Sequence, residues 1–537
     1  MNKKIISFTL SLLFCLQISV AQNKYQQAPP VIPYWAFGHW IWEDEKNTRQ
    51  ALEQLVKGYK DNNIPVRAVI IDSPWMNSYT DFNWDETRYP KAQEMIDNLH
   101  NQGIRVLPFY TGCLNLTTLL PIPEPKDKNY DFAVQNNFCI NENANSKWGK
   151  GTGVHIDITN KYAKTWWHTQ VDKLHDMKFD GAKIEFGFMW FGDTIKTSIG
   201  KMPQREFAYH YFGDAFDYNV SRNDEFVAMT YAWSGVGLMG FPSSSHVNWV
   251  GDFNGDWKGI KKQLKNIYLS AGYGFTGIGC EIGGYWNIPS NKEQFIRYAQ
   301  LGSLCPIMIN GGSLGAFKHH LPWNHDIETV NIYRKYVNLH NELAPYLFST
   351  SVDAHLYKST IIKNENIKQE SHMLGDLLFV KVKTDSLPET KIQFPDEGYW
   401  IDYWDDDQVY APGFVIEKNY DLSHYPLFIK SGAILPLQES NEEKIKFQIY
   451  PRGISSFTFH KPKDNGVEYE DITIKMDEPG KTLNITSTGE NSVIFLIKWP
   501  NLPEKVTNSD TWSYDESKKT LRIEKKGTSY KLTIHNK

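Results

Sequence analysis

Short apolar runs that end in a carboxylate recur between helix-like stretches from Trp35 to about residue 345. "VRAVIID" ends in Asp72 and follows the helical pattern "NTRQALEQLVKGYKDNN". "KAQEMIDNLHNQG" reads as a helix closed by Gly103, and "IRVLPFYTG" as the next strand. "GVHIDITN", the helical "KYAKTWWHTQVDKLHDMK", "FDGAKIEF", "EFVAMTY", "HVNWVGD", the helical "WKGIKKQLKNIYLSAGYG" and "TGIGCEIGG" continue the alternation. Nearly continuous apolar strands separated by helices imply a parallel sheet covered on both faces. Over this length the expectation is α/β, a (β/α)8 TIM barrel. A doubly wound open sheet is the alternative, but no Gly-rich dinucleotide loop follows the first strand.

Beyond about residue 350 the pattern changes to short β-rich segments split by turn residues, among them "GDLLFVKVKT", "PLFIKSGAILPL", "ISSFTFHK" and "NSVIFLIKWP". They predict two successive all-β sandwiches. The expected layout is a signal peptide over 1–21, the barrel over 22–350, a proximal sandwich over 351–440 and a distal one over 441–537.

The amino-terminal "MNKKIISFTLSLLFCLQISVAQN" has a basic start, an apolar stretch and a small-x-small end, which predicts export with cleavage after Ala21. A secreted or periplasmic protein without membrane insertion is expected, because no other apolar run is long enough to span. The net charge is −5, and losing Lys3 and Lys4 with the leader makes it more negative, which gives no reason to expect nucleic acid. Cys113, Cys139, Cys280 and Cys305 follow the leader without CxxC spacing, so neither a zinc site nor a disulfide scaffold is indicated, and a Cys113–Cys139 bridge stays open.

In a barrel, chemistry sits at the C-terminal ends of the strands. Acidic residues fall there five times: Asp72, Asp157, Glu185, Asp252 and Glu281. Two carboxylates about 5 Å apart are what a retaining glycosidase needs, one as nucleophile and one as general acid/base. The chain is 14% aromatic, and Trp35, Trp75, Phe186, Trp190, Trp249 and Trp286 stand near strand ends, where flat rings suit sugar.

Other patterns carry less. "DFNGDW" begins like a calcium loop but has Trp257 where the turn needs glycine. His319, His320 and His325 lack metal-ligand spacing, GxGxxG at 235–240 reads as a cleft loop, and GxSxG is absent. No metal and no cofactor are expected.

In order along residues 33 to 440 the chain resembles glycoside hydrolase family 31, the α-glucosidase, α-xylosidase and α-galactosidase family. The resemblance rests on "PYWAFGHWIWE", "NNIPVRAVIIDSPWMNSYTDFNWDETRYPKAQEMIDNLHNQGIRV", "FDGAKIEFG", "WVGDFNGDWKGIKKQLKNIYLSAGYGFTGIGCEIGGY", "EQFIRYAQLGSLCPIM" and "FPDEGYWIDYW". It implies an α-specific retaining enzyme acting on carbohydrate, with Glu185 as nucleophile and Asp252 as general acid/base. Asp72 would hold sugar hydroxyls. Lys183 would pair with a carboxylate and keep the nucleophile ionised, and Trp75, Trp249, Glu281, Trp35, Phe186 and Trp286 would line the substrate cleft.

This chain departs from the family pattern at Glu185 and Glu281, where Asp is usual. A carboxylate moved by one methylene can cost on the order of a hundredfold in rate if the pocket has not shifted with it. The family's arginine is missing from "MTYAWSG", its late-barrel histidine is replaced around Asn310, Pro74 follows Asp72 by two, and the N-terminal β-sandwich ahead of the barrel is not expected. Three outcomes stay open: hydrolysis, transglycosylation at the same site, and glycan binding without turnover.

Overall fold

The structure is a computed structural model describing residues 28–536 except 45, 141–145, 188–193, 232, 235–236, 239, 287, 312–319, 440–444, 465 and 478–481. The expected signal peptide therefore lies outside the described residues, as do Trp190 and His319.

Eight parallel strands close into a barrel. They are β1 (His39–Glu43), β2 (Ala68–Ile71), β3 (Arg105–Thr111), β4 (Gly181–Glu185), β5 (Val227–Thr230), β6 (Val247–Trp249), β7 (Gly277–Ile282) and β8 (Ile307–Gly311). Each pairs with its sequence neighbours, and β8 returns to β1 through His39 opposite Met308. Almost every strand residue is buried, because the lumen side chains fill one face and helices cover the other.

The helices around the barrel are α1 (Arg49–Asp61), α2 (Ala92–His100), α3 (Lys161–Asp176), α4 (Gln204–Arg222), α5 (Trp257–Gly272), α6 (Lys292–Ser303) and α7 (Ile327–Tyr357), and a further short helix, Tyr130–Gln135, lies in the segment inserted after β3. Their starts follow from local chemistry. Thr48, Asn160, Asp256 and Asp326 accept from the free N–H groups of the first turn, and Asn291 with Gln294 forms a reciprocal capping box.

One expected barrel strand is not one. Gly151–Ile156, from "GVHIDITN", pairs antiparallel with Cys113–Thr118 in a small sheet inserted after β3. Asp157 then braces a turn, accepting from Thr159 N and Oγ1 and from Ser198 N. Cys113, Cys139, Cys280 and Cys305 are free thiols, so no Cys113–Cys139 bridge is formed.

α7 continues through residue 350 and leads into a six-stranded sheet between Ile362 and Lys430, with a two-stranded ribbon beside it. The next sheet has eight strands, starts at Ile434–Gln438 and has its own core around Phe447, Phe495 and Ile523. The barrel and the six-stranded sheet share one continuous core, which fixes the barrel against its β-rich partner. Among the described residues, no helix is long and apolar enough to cross a membrane.

Candidate active site

β4 alternates its side chains, so Lys183 and Glu185 share the lumen face. Lys183 Nζ lies 2.8 Å from Glu185 Oε1 and 2.9 Å from Asp72 Oδ2. It also sits 4.4 Å from the centre of the Trp42 ring, 4.7 Å from that of Trp249 and 5.2 Å from that of Phe109. The ammonium is thus enclosed by two carboxylates and three ring faces, each of which attracts a cation. Burial pulls Lys183 towards deprotonation, but Asp72 and Glu185 reverse this and raise its pKa above the usual lysine range.

Asp72 follows β2. Its Oδ1 accepts from Ser73 N at 2.7 Å and from Lys150 Nζ at 3.3 Å. Lys150, from the inserted sheet, also donates to Ser73 Oγ, which accepts from the Tyr79 hydroxyl at 2.8 Å. Burial would push Asp72 up; Lys183 and Lys150 hold it below the usual carboxylate range. Asp44 follows β1, and the Tyr285 hydroxyl donates to its Oδ2 at 2.5 Å. Burial first, then repulsion from Asp72, raises Asp44 to about 7.

After β6 the chain turns at Gly251, whose φ of 112° suits glycine, and presents Asp252. Asp252 Oδ1 is buried and has no hydrogen-bond partner among the described residues. Burial raises the Asp252 pKa well above the usual range; Glu185, Asp44 and Asp72 add to this and Lys183 opposes it. Glu281, near the end of β7, is fully buried, and burial followed by the charge of Asp252 raises it strongly. Tyr231, just after β5, packs its ring 4.5 Å from Trp249 and senses Asp252, Glu185 and Glu281. The result is a carboxylate paired with a cation and, after β6, a second carboxyl whose uptake of a proton is favoured by burial.

The profile of the glycosyl hydrolases family 31 TIM-barrel domain matches residues 29–350, and that of the family 31 C-terminal domain matches 347–435. The chain belongs to glycosyl hydrolase family 31. An α-xylosidase of Saccharolobus solfataricus is 23% identical over 478 residues, covering 82% of this chain and 61% of the relative. An isomaltosyltransferase of Sporosarcina globispora is 23% identical, covering 91% and 51%. Among solved structures, a cycloalternan-forming enzyme of Listeria monocytogenes with a pentasaccharide superposes with a TM-score of 0.83 at 20% identity, covering 95% of this chain and 55% of its own. A Flavobacterium johnsoniae family 31 dextranase with isomaltotriose gives 0.82 at 18%, covering 95% and 71%. The chain spans between about half and three fifths of the length of these two curated relatives.

In this family 31 barrel, Asp72, Lys183, Glu185, Trp249, Asp252 and Glu281 come together around the Lys183 ammonium. Trp286 stands at the rim, 39% exposed, with its ring edge-on to Tyr285. Three expected cleft aromatics lie elsewhere. Trp35 is fully buried among residues at the strand starts: it stacks on Trp40, donates to Glu225 O and lies under Arg105, so it presents no surface to sugar. Trp75 is buried against Trp84 and Phe179 and donates to Phe109 O. Phe186 packs on His155, Phe207 and Tyr211 under α4. Their place in the sequence near strand ends says nothing about which face they take.

Asp44, Tyr285, Trp42, Lys150 and Tyr231 join the site without having been singled out as contacts. Asp44 obeys the strand-end rule and was hidden in "WEDE"; Lys150 has no local signal. A cavity of about 210 Å³ adjoins Asp44, lined also by Trp42, His320, Leu321 and Trp323. Among the described residues, no group of three His, Cys, Asp or Glu side chains is arranged to hold a metal ion.

Proposed function

We propose that this chain is a retaining, exo-acting α-glycoside hydrolase working through a covalent glycosyl-enzyme. One observation carries the reading. Trp42 Nε1, Trp249 Nε1, Asp252 Oδ1 and both Glu281 oxygens are buried polar atoms without partners among the described residues, all on side chains grouped around Lys183. Buried donors and acceptors left open at one place call for a polar ligand, and a sugar offers hydroxyls of both kinds.

In the first step a Glu185 oxygen attacks the anomeric carbon, the bond to the leaving oxygen breaks, and Asp252 gives that oxygen its proton. In the second, Asp252 takes a proton from water, the water oxygen attacks the anomeric carbon and Glu185 departs. The Lys183–Glu185 pair and the raised Asp252 support these roles. Near the ends of β1 and β6 the rings of Trp42 and Trp249 close around Lys183, which favours a pocket for one terminal sugar over an open cleft. The relatives named as an isomaltosyltransferase and a cycloalternan-forming enzyme favour transglycosylation as a second reading, with a sugar acceptor taking the place of water. Export to the periplasm or medium is proposed from the amino-terminal sequence.

The test is a panel of p-nitrophenyl α-glycosides run with wild type, Glu185→Gln and Asp252→Asn. One sugar should be cleaved with retention of configuration, and both variants should lose that activity by several orders of magnitude. Activity surviving in Glu185→Gln overturns the nucleophile. A wild type that binds oligosaccharides but cleaves none overturns the hydrolase.

A further inference from the structure

Along β7 the side chains alternate between the helix layer and the lumen. Cys280 faces the helix layer: its Sγ lies 4.0 Å from Cys305 Sγ and borders Gly302 of α6. Glu281, the next residue, therefore points into the lumen. The groups that act on it there are Asp252, Lys183 and Asp44; Tyr231 senses its charge from just after β5, and Tyr298 does so from α6. It has no measurable exposure, and neither carboxyl oxygen has a hydrogen-bond partner among the described residues. Its backbone carbonyl accepts from Gln263 Nε2 at 3.2 Å.

An anion in that position would be doubly unsatisfied. It would have no donor on either oxygen, and Lys183, the nearby cation, already spends direct contacts on Asp72 and Glu185. Burying an unpaired charge costs far more than burying the neutral acid. The neutral acid carries one O–H donor and still needs an acceptor. A sugar hydroxyl can accept from that O–H while giving its own hydrogen to a second acceptor, and Asp252 Oδ1 is such an acceptor, without a partner among the described residues.

We infer that Glu281 binds the sugar as a neutral acid, donating a hydrogen bond to a hydroxyl and so selecting sugars that present one there. The inference rests on the glycosidase reading for its ligand but not for its protonation state. Glutamine is the discriminating substitution, because it keeps a donor of similar shape and cannot ionise.

On the p-nitrophenyl glycoside that wild type cleaves, Glu281→Gln should lose less than about tenfold in kcat/KM. Glu281→Leu should lose on the order of a hundredfold, because it has no donor and leaves the hydroxyl unpaired. Equal losses in the two variants, or no loss in either, overturn the inference. Infrared difference spectra of the unliganded protein, wild type minus Glu281→Gln at neutral pH, read the same claim without turnover. They should show the carbonyl stretch of a protonated carboxylic acid in the wild type. A carboxylate band in its place overturns the inference even if Glu281→Leu fails to fold. Should wild type cleave nothing, the glycosidase reading falls, and the infrared result still decides whether Glu281 is neutral.

Discussion

Lys183 Nζ and Glu185 Oε1 are 2.8 Å apart on the same face of β4, two residues from each other, and the same ammonium reaches Asp72 Oδ2 at 2.9 Å on β2's end. One cation therefore spaces two acids from different strands. Lys183→Met would keep most of the side-chain volume and remove the charge, leaving two buried carboxylates facing each other. Breaking a buried pair from one side typically costs about 3–5 kcal/mol. The expected outcome is a Tm well below wild type together with loss of turnover, measured by calorimetry and the glycoside panel. A variant with native Tm and unchanged kcat would show that Lys183 only fills space.

Asp44 gives the site a pH dependence of known sign. Its folded-state pKa, raised to about 7 by burial and by Asp72, lies above the ordinary carboxyl value, so the native state prefers the proton. The unfolded chain ionises Asp44 first, and stability from this group falls as pH rises from about 4 to about 7. Asp72 works the other way: its lowered pKa contributes stability above the ordinary carboxyl range that is lost as pH falls. Asp44→Asn should flatten the decline in Tm between pH 5 and 8 and raise Tm most at the alkaline end. An unchanged Tm-against-pH curve would count against Asp44 titrating in this range.

The strand-end carboxylates were the legible part of the site. Asp72, Glu185, Asp252 and Glu281 can be found because a parallel barrel must deliver its strand ends to one rim, so a local pattern carries global position. The aromatic residues carry no such rule. Trp35 and Trp75 stand near strands in sequence, yet their indole N–H groups are satisfied by Glu225 O and Phe109 O inside the packing. "GVHIDITN" shows the same limit, since a two-residue period fits an antiparallel insertion as well as a barrel strand. Lys150 reaches Asp72 across 78 residues, and no sequence period encodes a contact of that span.

Trp286 and Trp35 separate binding from packing. Trp286 is 39% exposed at the rim, so Trp286→Ala removes a stacking face and little core. KM should rise about three- to tenfold with Tm nearly unchanged, the size of one aromatic contact. Trp35→Ala empties a fully buried position and should cost about 3–5 kcal/mol of stability, with KM unaffected in the fraction that folds. Opposite assignments of the KM and Tm effects would mean the two tryptophans have been placed at the wrong ends of the barrel.

Lys150 offers a finer test of how the pocket is built. Its side chain is 26% exposed, and it touches Asp72 Oδ1 and Ser73 Oγ with no direct bond to Glu185. Lys150→Met leaves Asp72 paired with Lys183, so the charge lost is partly screened and the cost should be about 1–2 kcal/mol, below that of Lys183→Met. Lys150 also acts on Asp44 by lowering its pKa, so removing it should move the Asp44 titration upward. Because Glu185 and Asp252, the proposed reacting carboxyls, keep their contacts, KM should rise while kcat changes by less than about tenfold. A fall in kcat as large as that from Lys183→Met, at unchanged KM, would place Lys150 in the chemical step and not in holding Asp72 for the sugar.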